Sequence, residues 1–95
     1  GVIKIIFTPG HTPGHQSVLV NLPKTGHMLF TGDACYTGDH WCDKCLPGLV
    51  SSSSDAAASV KKLRRVAKEH DAKVVWGHDP VSWPDWKKAP MFYYD

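Results

Sequence analysis

The residues best suited to chemistry are two histidines in Thr8-Pro9-Gly10-His11-Thr12-Pro13-Gly14-His15, an aspartate in Gly32-Asp33 and a histidine in Gly77-His78. Imidazole nitrogens and carboxylate oxygens are the donors that hold divalent metals such as zinc. His11, Asp33 and His78 stand on separate loops, each after a short apolar run: Val2 to Phe7, His27 to Thr31, and Lys73 to Trp76. Rigid strand ends that aim His, Asp and His at one point would build a metal centre, and the chemistry of such a centre is metal-assisted hydrolysis. Pro9-Gly10 and Pro13-Gly14 fix the backbone on both sides of His11, so that its ring can be presented from a tight loop. Asp33 has two oxygens that can each serve a different cation, which an imidazole does not easily do. Without those companions, His11 reads as a loop histidine, Asp33 as a turn aspartate and His78 as a core histidine.

The elements that must position these residues follow from pattern. Gln16 to Asn21 and His27 to Thr31 read as antiparallel strands joined by the polar turn Leu22-Pro23-Lys24-Thr25-Gly26. Gly32 to Ser54 is rich in Gly, Ser, Cys and Asp without periodicity, and is expected to be one long loop bordering the site. Ser53 or Ser54 is expected to cap a helix running to about His70, with Ala56, Val60, Leu63 and Ala67 inward and Lys61, Lys62, Arg65 and Lys68 outward. Those basic residues suit the helix dipole and a solvated face. Ser82 is expected to cap a short helix from Trp83 to Lys88.

Composition sets outer bounds. At 95 residues the chain is at most one domain and buries only about two-thirds of its unfolded surface. A net charge of +2 argues for neither nucleic acid nor a membrane as partner. No apolar stretch is long enough to span a bilayer, and the strand-like start is expected to lie inside a fold. Three cysteines, two of them as Cys42-x-x-Cys45, do not make a secreted disulfide framework, so a reducing cytoplasm is the expected compartment. Cys35, His40, Cys42 and Cys45 offer a competing reading as a small structural zinc site, which a lone CxxC supports only weakly.

In order and spacing, PGHTPGH, LFTGDACYT and VVWGHD resemble the C-terminal half of a metallo-β-lactamase-superfamily hydrolase, over nearly the whole chain. Tyr36, together with Lys87-Lys88-Ala89-Pro90 and Tyr93-Tyr94, resembles the N-acyl-homoserine lactonase branch. The resemblance implies an α/β fold, one half of an αββα sandwich, with a mixed, largely antiparallel sheet and covering helices. It implies two zinc ions held in part by His11, Asp33 and His78, with Asp33 bridging, and an acidified water as nucleophile. His15 would support the strand through hydrogen bonds, and Asp79 would not be a ligand. Tyr36 would be catalytic, donating a hydrogen bond to the carbonyl oxygen of a lactone as it becomes an oxyanion.

The family's remaining ligands come from an upstream His-x-His-x-Asp-His motif, which the six histidines here never form. The expected partner is therefore an N-terminal half carrying that motif, and the expected substrate a small lactone. Alternatives are another lactonase or a glyoxalase-II-like thioesterase of the same superfamily, or an inactive fragment serving as a structural zinc or complementation partner.

Overall fold

Among the described residues, short apolar runs bounded by Pro and Gly build a four-stranded sheet. β1 (Val2–Phe7), β2 (Gln16–Leu22) and β3 (Gly26–Gly32) are antiparallel neighbours, β4 (Lys73–Trp76) lies parallel to β3, and the spatial order is β1-β2-β3-β4. The computed structural model describes residues 2–42 and 50–88. Parallel neighbours require a crossover, and the helix α2 (Ser53–His70) lies within it. The architecture is the expected α/β one, with a mixed, largely antiparallel sheet.

Side-chain alternation divides the sheet into two unlike faces. Ile6, Leu19 and Leu29 from the first three strands meet Leu63 of α2 and Ala34, with Val66, Ala67, Ala72 and Val74 packed around them. Leu29 and Leu63 are fully buried, and each burial contributes about 1.5–3 kcal/mol. On the opposite face the register sets Ile3 beside Val20, Ile5 beside Val18, Val18 beside Phe30 and Val20 beside Met28. Ile3 is 69% and Ile5 56% exposed there, so a broad apolar surface faces outward. Trp83 and Trp86 approach its β3 side around a hollow of about 330 Å³ lined by Val20, Met28 and Phe30.

α2 begins earlier than the sequence pattern indicates. Ser52 is the cap: its backbone is extended (φ −150°, ψ 113°) and its Oγ accepts the Asp55 N–H at 3.2 Å. The N–H groups of Ser51 and Ser52 donate to Gly10 O at 2.8 and 3.0 Å, which holds the chain outside the helix up to that point. Ala56, Val60 and Leu63 are buried, whereas Lys61, Arg65 and Lys68 are exposed. Lys62 instead lies half-buried and donates to Phe7 O at 2.9 Å.

Two further expectations differ from the structure. The segment from Gly32 to Ser54 is not loop throughout, because α1 (Gly38–Trp41) forms within it, with Thr37 as cap and Asp39 in its first turn. A single turn this short leaves no periodicity to read. The expected helix from Trp83 to Lys88 is only a 3₁₀ turn, Trp83–Asp85, and Ser82 makes no side-chain cap bond. Pro84 supplies no N–H, Trp86 turns extended, and the Lys88 ammonium donates to the Trp83 and Trp86 carbonyls at 2.9 and 2.8 Å. Cys45, Ala89, Pro90, Tyr93 and Tyr94 lie outside the described residues. Among the described residues no helix is long and apolar enough to cross a membrane.

Candidate metal centre

The three loops meet because backbone contacts draw them together. After β3 and β4, Gly77 N–H donates to Cys35 O at 3.1 Å and His78 N–H to Tyr36 O at 2.9 Å. A Cβ on Gly77 would lie 2.3 Å from Gly32 O, so glycine alone permits this approach. The His11 loop is seated on the start of α2: the buried Ser59 donates to Pro9 O at 2.6 Å, and Ser51 Oγ to Gly10 O at 3.0 Å. Gly10 has φ 139°, and a Cβ there would meet the Ala56 Cα at 2.4 Å. Sequence reasoning missed Ser59, whose only signal is a hydroxyl on the buried stripe of Ala56, Val60 and Leu63.

His11, Asp33 and His78 are brought together. His11 Nε2 lies 3.4 Å from Asp33 Oδ2, and His78 Nε2 lies 2.8 Å from Asp33 Oδ1. Each carboxylate oxygen thus faces its own histidine. The Tyr36 hydroxyl lies 3.4 Å from His11 Nδ1, and its ring stands edge-on to that of His78 with centroids 4.7 Å apart. Side-chain exposure rises from 23% at His11 through 41% at Asp33 to 61% at His78, so the cluster is open on the His78 side.

The donor chemistry suits a borderline divalent metal, with imidazole nitrogen on either side of a two-oxygen group. Three such side chains are too few for a pair of ions. Among the described residues no group of three or more His, Cys, Asp or Glu forms a ready-made metal site, and the two imidazoles close on the carboxylate itself. The same holds for Cys35, His40 and Cys42: Cys35 is buried with Sγ directed to Thr37 O at 3.4 Å, His40 is buried, and Cys42 is exposed.

His15 is held behind the cluster. Its Nε2 accepts the Asp33 N–H at 3.1 Å, so in the neutral ring Nδ1 carries the proton and donates to Thr8 Oγ1 at 3.0 Å. Thr8 then donates to Ser17 Oγ at 2.9 Å, and Ser17 to Thr31 O at 3.0 Å. This relay orients the ring and fixes the amide of Asp33. Thr8→Val keeps the shape and removes the link, leaving buried polar groups unmatched. Its expected cost is about 1–3 kcal/mol, read as a lower urea midpoint at unchanged slope. An unaltered midpoint would show that the relay carries no stability. Asp79 is engaged elsewhere, accepting Gly38 N–H at 3.3 Å and Val81 N–H at 2.9 Å.

With this geometry in place, comparison with known proteins settles the family. The profile of the metallo-beta-lactamase superfamily matches residues 1–78. The chain belongs to this superfamily. Within it, the chain is 57% identical over 93 residues to N-acyl homoserine lactonase AttM of Rhizobium radiobacter, covering 98% of this chain and 35% of that protein. It is 39% identical over 77 residues to an N-acyl homoserine lactonase of Bacillus cereus, covering 81% of this chain and 30% of that protein. A solved N-acyl homoserine lactone hydrolase with the product N-hexanoyl-L-homoserine at its catalytic metal center superposes with a TM-score of 0.88 at 31% identity. It covers 96% of this chain and 36% of that one. The chain spans about a third of the length of these superfamily relatives.

Proposed function

We propose that residues 1–95 form the C-terminal half of a metallo-β-lactamase-like domain in a binuclear zinc lactonase that opens N-acyl-homoserine lactones, and thereby quenches quorum signals. The observation that carries this reading is the shared carboxylate: His11 and His78 face different oxygens of Asp33, with the Tyr36 hydroxyl beside His11. Likeness to lactonases along nearly the whole chain supports the substrate class. His11, Asp33 and His78 would hold the zinc ions together with ligands from an N-terminal half carrying His-x-His-x-Asp-His. When bound, zinc lowers the pKa of water towards neutrality and polarises a carbonyl.

The chain's own residues have distinct tasks. Asp33 keeps the two histidines at a common centre, and His15 holds the Asp33 backbone. Tyr36 donates a hydrogen bond to the lactone carbonyl oxygen as charge develops on it. Water adds to the carbonyl carbon, the ring C–O bond breaks, and the ring oxygen departs as a hydroxyl, yielding the N-acyl-homoserine. The outward apolar face of Ile3, Ile5 and Val18 supports the docking of a second half-domain, since burying such a surface is strongly favourable. Accordingly, the isolated chain is expected to bind zinc weakly and turn over nothing, and the complementary half to restore both. Lactone opening by the isolated chain at the rate of the complex would overturn the half-domain reading.

Tyr36→Phe tests the substrate assignment. In the complex it should retain zinc and lower turnover of a homoserine lactone by about tenfold to a hundredfold, with a smaller change in KM. The assay compares a homoserine lactone with a glutathione thioester while zinc content is measured. Preference for the thioester, or full lactone turnover without the phenol, would defeat the lactonase reading.

A further inference from the structure

His40 is a buried titratable residue with no task in the reaction as described: it is 2% exposed, at the third position of α1. Its Nδ1 accepts the Tyr36 N–H at 3.1 Å. A backbone amide can only donate, so Nδ1 carries no proton and the neutral ring holds it on Nε2. The His40 ring also stands edge-on to the Tyr36 ring, with centroids 6.4 Å apart and an interplanar angle of 90°. On its other side, the Tyr36 carbonyl accepts His78 N–H at 2.9 Å. The backbone of Tyr36 is therefore clamped at both ends, by His40 through its amide and by His78 through its carbonyl.

α1 is itself held firmly enough to act as the fixed jaw. Thr37 Oγ1 accepts the His40 N–H at 3.3 Å, and Arg64 of α2 donates to Trp41 O at 3.2 Å. The short helix is thus tied to the long helix over the sheet, and its histidine reaches back to the residue whose phenol lies beside His11 and His78. We propose that His40 is a positioning residue: as acceptor for the Tyr36 amide, it sets where the Tyr36 hydroxyl stands in the site. This rests on the reading of Tyr36 as the hydrogen-bond donor to the lactone carbonyl. Hydrogen bonds to developing charge depend steeply on placement, so loosening the clamp acts on turnover more than on ground-state binding.

The test uses the zinc-loaded complex with an N-acyl-homoserine lactone and three variants. His40→Asn retains an acceptor where Nδ1 stood, His40→Gln moves the amide towards the place of Nε2, and His40→Leu removes the acceptor. His40→Leu and His40→Gln should lower kcat about tenfold, with KM and zinc content close to those of the unaltered complex. His40→Asn should recover most of the loss. In a Tyr36→Phe background, His40→Leu should cause little further loss, because the group it positions is gone. Equal impairment of the Asn and Leu variants, or the same fold-loss with and without the phenol, would reduce His40 to a packing residue and overturn the proposal. Should the leucine variant not fold, Gln against Asn makes the same comparison. Full activity of Tyr36→Phe would overturn the phenol reading and this proposal with it. A loss in Tyr36→Phe with none in the Leu or Gln variant of His40 would overturn this proposal alone.

Discussion

Asp33→Ala is expected to strip most of the zinc from the reconstituted protein and to lower lactone turnover by about a thousandfold or more. A metal's stabilisation of transition-state charge is worth several kcal/mol, and each 1.36 kcal/mol is about tenfold in rate. The reason is geometric. His11 and His78 lie on loops from β1 and β4, and both nitrogens face the Asp33 carboxylate, at 3.4 and 2.8 Å. Alanine removes a proposed donor to each ion and the anion that balances their charge. A control separates this centre from the cysteine-bearing segment: Cys42→Ser with Cys45→Ser should leave zinc content and turnover unchanged. Zinc measured by mass spectrometry in both proteins decides the matter. Equal loss in the two would favour a structural zinc site near Cys42, and retention of both ions by Asp33→Ala would remove the aspartate from the proposed ligand set.

Much of the scaffold was legible because it is local. The runs Val2 to Phe7, Gln16 to Asn21, His27 to Thr31 and Lys73 to Trp76 are apolar and bounded by turn residues, and the strands match them to within a residue at each end. The inward stripe of α2 follows from helical spacing in the same way. The first residue of that helix was not legible among four successive serines, each able to cap it. Ser52 takes the role because the Gly10 carbonyl, distant in sequence, binds the amides of Ser51 and Ser52. The same limit applies to the site. PGHTPGH, TGD and GHD identify residues suited to one centre, but what gathers them is a set of long-range backbone bonds, among them Gly77 to Cys35 and His78 to Tyr36. Backbone amides carry no sequence signal. In the sequence His40 is only a member of a cysteine-rich segment, since nothing in its neighbours announces that its ring turns back to an amide four residues earlier.

Gly77→Ala is expected to have the second largest effect, and to affect fold and site together. A Cβ at this position would lie 2.3 Å from the Gly32 oxygen and 2.9 Å from its carbonyl carbon, far inside van der Waals contact. The obstacle is backbone at the end of β3, so no side-chain rotation relieves it and the ends of β3 and β4 must part. Overpacking against a fixed neighbour costs about 1–3 kcal/mol, and more where backbone has to move, which is a large share of the stability of a domain this size. The separation falls between Gly32-Asp33 and Gly77-His78, where the 2.8 Å contact of His78 with Asp33 is made. The variant should therefore show a lowered melting temperature and, in the fraction that remains folded, weakened zinc binding. Leu19→Ala supplies the contrast, because it lowers stability by emptying part of the core within β2, away from the three ligand loops. If Gly77→Ala lowers the melting temperature while zinc affinity stays at the unaltered level, the close approach serves only the packing of the two strands. If zinc affinity falls more than in a Leu19→Ala protein of matched stability, the approach of Gly77 to Gly32 sets the distance between His78 and Asp33.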